Sequence, residues 1–215
     1  MLPLWVFRRR LLVASSLIAA GVGAVLLALT SYVPTYVQEV LGYGPLVAGF
    51  ALATLSMGWP LAASQAGRIY LRIGFRACAL IGTATVLAGC ALLLLLDEHS
   101  SVWQVAATCL VIGAGMGLTV SPTLIAAQSS VGWRERGVVT ANNLFLRSVG
   151  SSVGVAGFGA LANAVIGRAA RTGGRVDTAA LTTAVQHIFL SVEAIAVLML
   201  VTAVLLPRLP LPERG

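Results

Sequence analysis

Six long apolar blocks, separated by short polar or charged stretches, make up almost the whole chain: 11–33, 46–66, 77–96, 102–127, 138–166 and 183–206. The first four carry no charged residue; the fifth holds Arg147 and the sixth Glu193. Each matches the roughly 20 apolar residues that a helix needs to cross the hydrocarbon core of a bilayer. None shows the period-two alternation of a half-buried strand, and all exceed strand length. The pattern predicts an all-α membrane protein of six transmembrane helices. Composition agrees: only 10% of residues are charged and the mean hydropathy is +0.94, whereas a soluble domain is about 25% charged.

The net charge of +7 comes from arginine alone, since the chain has no lysine. The arginines gather between the blocks. With the N-terminus in the cytoplasm, ten of them (Arg8, Arg9, Arg10, Arg68, Arg72, Arg76, Arg134, Arg136, Arg208 and Arg214) fall on the cytoplasmic side. Three (Arg168, Arg171 and Arg175) fall outside, together with Glu39, Asp97, Glu98 and Asp177. The positive-inside rule then places both termini in the cytoplasm, as for an integral protein of a bacterial plasma membrane. Small groups at block ends suit anionic lipid headgroups. They do not form the continuous solvated face that nucleic-acid binding requires, so no nucleic acid is expected as a partner.

Candidate chemistry is sparse. Cys78, Cys90 and Cys109 all lie in apolar blocks without a C-x-x-C pair, which predicts packing and neither a disulfide framework nor a metal site. No phosphate-binding loop is present. Gly150-Ser151-Ser152-Val153-Gly154 has the spacing of a hydrolase elbow, but it sits inside an apolar block where that motif needs a strand and a sharp turn. His99 and His187 have no triad partners. Neither an enzyme nor a cofactor is expected.

The stretch Gly67-x-x-x-Leu71-Arg72-x-Gly74-x-Arg76, read as a short cytoplasmic turn, resembles the loop signature Gly-x-x-x-Asp-Arg-x-Gly-Arg-Arg of the major facilitator superfamily of secondary transporters. It departs from that pattern at Leu71, where the family has Asp, and at Phe75, where it has Arg. Val37-Gln38-Glu39-Val40-Leu41-Gly42-Tyr43-Gly44-Pro45 and the run carrying Arg136, Gly137, Thr140, Arg147, Gly150 and Gly154 resemble segments of the fourteen-span drug–proton antiporter branch. The resemblance implies that residues 1–215 form a C-terminal transmembrane bundle. It would be half of a facilitator, built as two inverted three-helix repeats at 11–96 and 102–206. It also implies secondary transport by alternating access, in a proton-coupled exporter of drugs or other small amphipathic substrates. An N-terminal half or a second copy would be the partner. The alternative is a truncated, non-transporting six-helix module with a structural or regulatory role.

Several residues are candidates for the substrate or proton pathway: Tyr32, Gln38, Thr119, Asn143, Arg147 and Glu193. The resemblance implies that the first and fourth helices line the cavity, which draws in Tyr32, Gln38 and Thr119. Glu193 is the one acid inside a block, and a carboxyl in hydrocarbon is costly. It serves proton exchange, or it is a protonated carboxyl hydrogen-bonded to a neighbouring helix for packing; Gln186, seven residues earlier on the same helical face, is its candidate companion. Arg147 lies inside the fifth helix with Asn143 one turn earlier. It meets substrate, lines a vestibule, locks a gate, or snorkels to headgroups. Gly113-x-x-x-Gly117 and Gly150-x-x-x-Gly154 predict close helix packing. A half bundle also exposes a face meant for its partner, expected on spans one, two, four and five.

Overall fold

A computed structural model describes residues 9–171 and 178–207. Arg8, Arg175, Asp177, Arg208 and Arg214, which entered the charge count above, lie outside the described residues. Six helices follow in order: α1 (Arg10–Thr35), α2 (Pro45–Ile73), α3 (Phe75–Leu94), α4 (Val102–Ser129), α5 (Arg136–Arg171) and α6 (Thr178–Val204). Each contains a stretch long and apolar enough to cross a membrane, and no strand occurs among the described residues. A wide π-turn, Tyr36–Val40, ends α1, and a 3-10 turn, Trp133–Glu135, precedes α5.

The boundaries follow from local chemistry. Pro45 opens α2, where a missing N–H costs nothing. Ser101 opens α4 with a capping box: its hydroxyl accepts from the Trp103 N–H at 3.3 Å, and its own N–H donates to Gln104 Oε1 at 2.7 Å. One expectation needs correcting here. The stretch 67–76 is not a loop. Residues through Ile73 continue α2, Phe75 already begins α3, and Gly74 alone reverses the chain with φ 86° and ψ 160°. That backbone conformation is nearly exclusive to glycine. Tyr70 and Phe75 stack at 4.6 Å across the reversal and hold it closed.

The helices pair in a regular way. α2 packs on α4 and α1 on α5, while α1 and α4 also meet. Behind them, α3 packs on α4, α6 on α1, and α3 on α6. Exchanging α1 with α4, α2 with α5 and α3 with α6 maps every helix–helix contact in this set onto another. Each triple starts at the opposite end of the bundle from the other. The bundle is therefore two three-helix units of inverted direction.

The two front seams are built alike. On α4, a Cβ added at Gly113 or Gly117 would strike the carbonyls of Leu55 and Trp59 on α2. On α5, one added at Gly150 would strike the Ala20 carbonyl of α1, and one at Gly154 would press on Ala24. Backbones come this close only over small residues. Polar side chains add to the α1–α5 seam. Asn142 Nδ2 donates to Ser16 Oγ at 2.8 Å, Asn143 Nδ2 to the Ser15 carbonyl at 3.2 Å, and Ser151 Oγ to the Gly23 carbonyl at 3.0 Å.

Arginines fasten the end of the bundle where α1 begins and α6 ends. Arg9 donates to the Ser130 carbonyl just past α4 at 2.8 Å, and Arg76 to the Val204 carbonyl at the end of α6 at 2.7 Å. Both supply positive charge to helix C-termini whose last carbonyls lack partners. At the far end, the Tyr36 hydroxyl donates to the Asp97 carbonyl at 2.6 Å and ties α1 to the α3–α4 loop.

Candidate functional site at the middle of the open face

α3 and α6 cover one face of the row α5–α1–α4–α2. Among the described residues, no helix covers the other face. On it, one side chain from α5 meets one from α2, although those two helices do not pack extensively on each other. The Arg147 guanidinium lies over the Trp59 ring, 4.8 Å from its centroid. Arg147 is about 16 Å along α5 from Arg136, and Trp59 about 21 Å along α2 from Pro45. Both levels are close to the centre of a hydrocarbon core about 30 Å thick.

The seams set this pair in place. The Arg147 carbonyl rests on Gly23 of α1, and the Trp59 carbonyl on Gly117 of α4. Both side chains are half-buried. A cation over an aromatic face gains about 0.5–2 kcal/mol, which falls short of neutralising a guanidinium in a bilayer. The described acids lie elsewhere. Glu39, Asp97 and Glu98 are at the far end, Glu135 is in the turn before α5, and Glu193 is on α6.

The other pathway candidates are scattered. Asn143 is consumed in the α1–α5 seam. Thr119 is fully buried on the side of α4 that faces Gly82 of α3, and donates to the Gly115 carbonyl at 2.7 Å. Tyr32 meets Phe158 of α5 edge-on, with ring centroids 6.5 Å apart. Gln38 Nε2 donates to the Pro34 carbonyl at 3.3 Å near the end of α1. Glu193 lies on α6, which packs on α3, and its Oε2 is buried without a hydrogen-bond partner. Of the six, Arg147 alone reaches the bare face at mid-depth. Trp59 was missed in the sequence, where a Trp in an apolar block carries no signal of its partner.

A second opening lies at the far end between α2 and α4. It is a groove of about 910 Å³ lined by Tyr43, Leu46, Phe50, Ser101 and Trp103, with Phe50 and Trp103 edge-to-face at 5.9 Å. The position suits the aromatic belt of a membrane–water boundary.

Residues 2–155 match the sequence profile of the Major Facilitator Superfamily. The chain belongs to this superfamily. It is therefore an integral membrane protein of a family of transporters, not enzymes. Its relatives include Multidrug transporter protein MdtP of Bacillus subtilis (strain 168), 27% identical over 163 residues, covering 76% of this chain and 30% of that protein. Multidrug resistance protein 3 of the same organism is 29% identical over 156 residues, covering 72% and 30%. The chain thus spans less than a third of the length of these curated relatives. A solved bacterial homolog of the human lysosomal transporter Spinster, in an inward-facing and occupied conformation, superposes with a TM-score of 0.69 at 15% identity. That match covers 92% of this chain and 49% of the other, as a half bundle would.

Within this superfamily chain the loop signature divides by role. Gly74 makes the reversal and Arg76 caps α6. Arg72 lies in the last turn of α2. A Cβ at Gly67 would meet open space, so the room it leaves is not used within this chain.

Proposed function

We propose that the chain is the C-terminal six-helix half of an exporter of small amphipathic molecules, working by alternating access against an N-terminal half. It would sit in a bacterial plasma membrane with both termini cytoplasmic. One observation carries this reading. α2 and α5 are the least buried helices of the bundle and also the least apolar of the six. Lipid alone would favour the reverse, so the surface they form with Arg147 suits a facing half and a wet pathway. Glu193, whose Oε2 is buried without a hydrogen-bond partner, is the candidate for proton exchange in this half, with packing as the alternative.

The test is flux. Residues 1–215 are reconstituted in liposomes with and without a co-expressed N-terminal half, and uptake of fluorescent amphipathic dyes is followed under an imposed pH gradient. Flux is expected only with both halves. Flux from a monomeric 215-residue chain would refute the half-transporter reading. No flux from a well-folded two-half complex would favour the structural module. In the active complex, Glu193→Gln should abolish pH-driven flux and leave folding intact; unchanged pH dependence would return Glu193 to packing.

A further inference from the structure

We propose that Arg147, braced on Trp59, is a binding subsite for a carboxylate. This deepens the functional reading above and rests on it for the word transport, but not for binding. Four observations converge. The guanidinium lies near the centre of the bundle's length, where an uncompensated cation is costly. It is half-buried on the face that α3 and α6 leave bare. No acid among the described residues is placed to pair with it. Its guanidinium carbon lies over the Trp59 ring, 4.8 Å from the centroid, which braces it.

A guanidinium held over a ring still carries forked N–H donors along its edge, and these match a carboxylate with two parallel hydrogen bonds. The surroundings select for more than charge. Beside the pair, exposed Leu144 lies three residues before Arg147 on the same face of α5, and the Trp59 ring adds aromatic surface from α2. A cation flanked by an aromatic ring and an apolar side chain fits an amphipathic organic anion, with its carboxylate on Arg147 and its apolar body against Trp59 and Leu144. It disfavours an organic cation, which would meet like charge. The same carboxylate chemistry could come from an acidic side chain of the facing half.

The experiment uses the 215-residue chain in lipid nanodiscs and titration calorimetry, with empty nanodiscs subtracted. The probes are 1-naphthoate and 1-naphthylmethylammonium, which share a ring system and differ in charge. Saturable binding of 1-naphthoate is expected, with no matching binding of the ammonium. Arg147→Gln should weaken naphthoate by about tenfold or more, the worth of a charge-assisted pair. Trp59→Leu should weaken it by about fivefold through loss of the brace. Arg147→Lys should restore part of the affinity lost in Arg147→Gln. Equal naphthoate affinity in the parent and Arg147→Gln would overturn the proposal, as would ammonium binding as tight as naphthoate. If Arg147→Gln does not fold, Trp59→Leu and the charge comparison on the parent decide. Repeating the titration with the N-terminal half present separates the sources. Undiminished binding points to a free organic anion, and lost binding to a carboxylate of the facing half. Binding is read without flux, so a two-half complex that binds but does not transport refutes the proposed function and leaves the subsite standing.

Discussion

α1 and α5 lie against each other, yet they live in different surroundings. In its most apolar stretch α1 is 67% buried, while α5 is 6% buried; α4 and its neighbour α2 differ in the same sense. The seam between each pair is equally tight, with glycine under carbonyl on both sides. Tight packing in a membrane therefore does not depend on enclosure. Small residues bring two backbones together along one line, and the rest of each helix is free to serve another surface. For α1 and α4 that surface is the core shared with α3 and α6. For α2 and α5 it is the bare face bearing Arg147 and Trp59.

The contrast can be broken most severely at the seams. Gly150→Leu and Gly113→Leu should each destabilise the bundle by about 3 kcal/mol or more, because the new side chain meets backbone that cannot step aside. Gly157→Leu, on α5 but over open space, should change stability by no more than about 0.5 kcal/mol. Thermal unfolding in detergent compares them. Equal melting of all three would mean that the seams are not where the bundle is held.

A smaller effect belongs to the reversal between α2 and α3. Gly74→Leu should cost about 1–3 kcal/mol through backbone strain alone. Arg68→Ala removes one exposed 3.3 Å hydrogen bond to Gln65 and should leave stability nearly unchanged. Matched thermal stability of the two variants would detach the loop signature from any structural role.

Asn142→Leu sharpens the comparison within the α1–α5 seam. It strands the buried Ser16 hydroxyl and should cost about 1 kcal/mol in the same melting assay. An unchanged melting temperature would assign the seam to glycine packing alone. The smallest perturbation probes orientation. Single cysteines at Arg72 and Arg136 should be labelled only from the cytoplasmic side, and one at Asp97 only from outside. The native cysteines are buried and should give little background. Labelling of position 72 from outside would invert the proposed topology.

Much of the fold was legible because bilayer crossing demands long uncharged runs, and such runs are plain in the sequence. The helix ends were less so. Interfacial arginines let α2 continue through Arg72, where charge suggested a loop, since a guanidinium on a helix end can reach headgroups or carbonyls as easily as one in a turn. Of the site, Arg147 was readable as a charge out of place. Its partner was not, because Trp59 is far away in sequence and ordinary in composition. Thr119 and Asn143 illustrate the opposite problem. Their polarity invited a pathway reading, but each is turned into a helix seam by a rotation that residue type does not encode.

By itself the sequence determined the solvent, the number of spans, the family and the small residues available for close approach. These follow from local quantities: hydrophobic length, charge placement and motif spacing. Only the tertiary structure decided which glycine meets which carbonyl, which helices are enclosed, and that one arginine and one tryptophan from non-adjacent helices share the bare face. Six apolar helices can be arranged in many ways at nearly equal cost in lipid, because burial against protein or hydrocarbon is much the same to an apolar side chain. Steric fit between backbones, and the need to place Arg147 away from lipid, select among those arrangements.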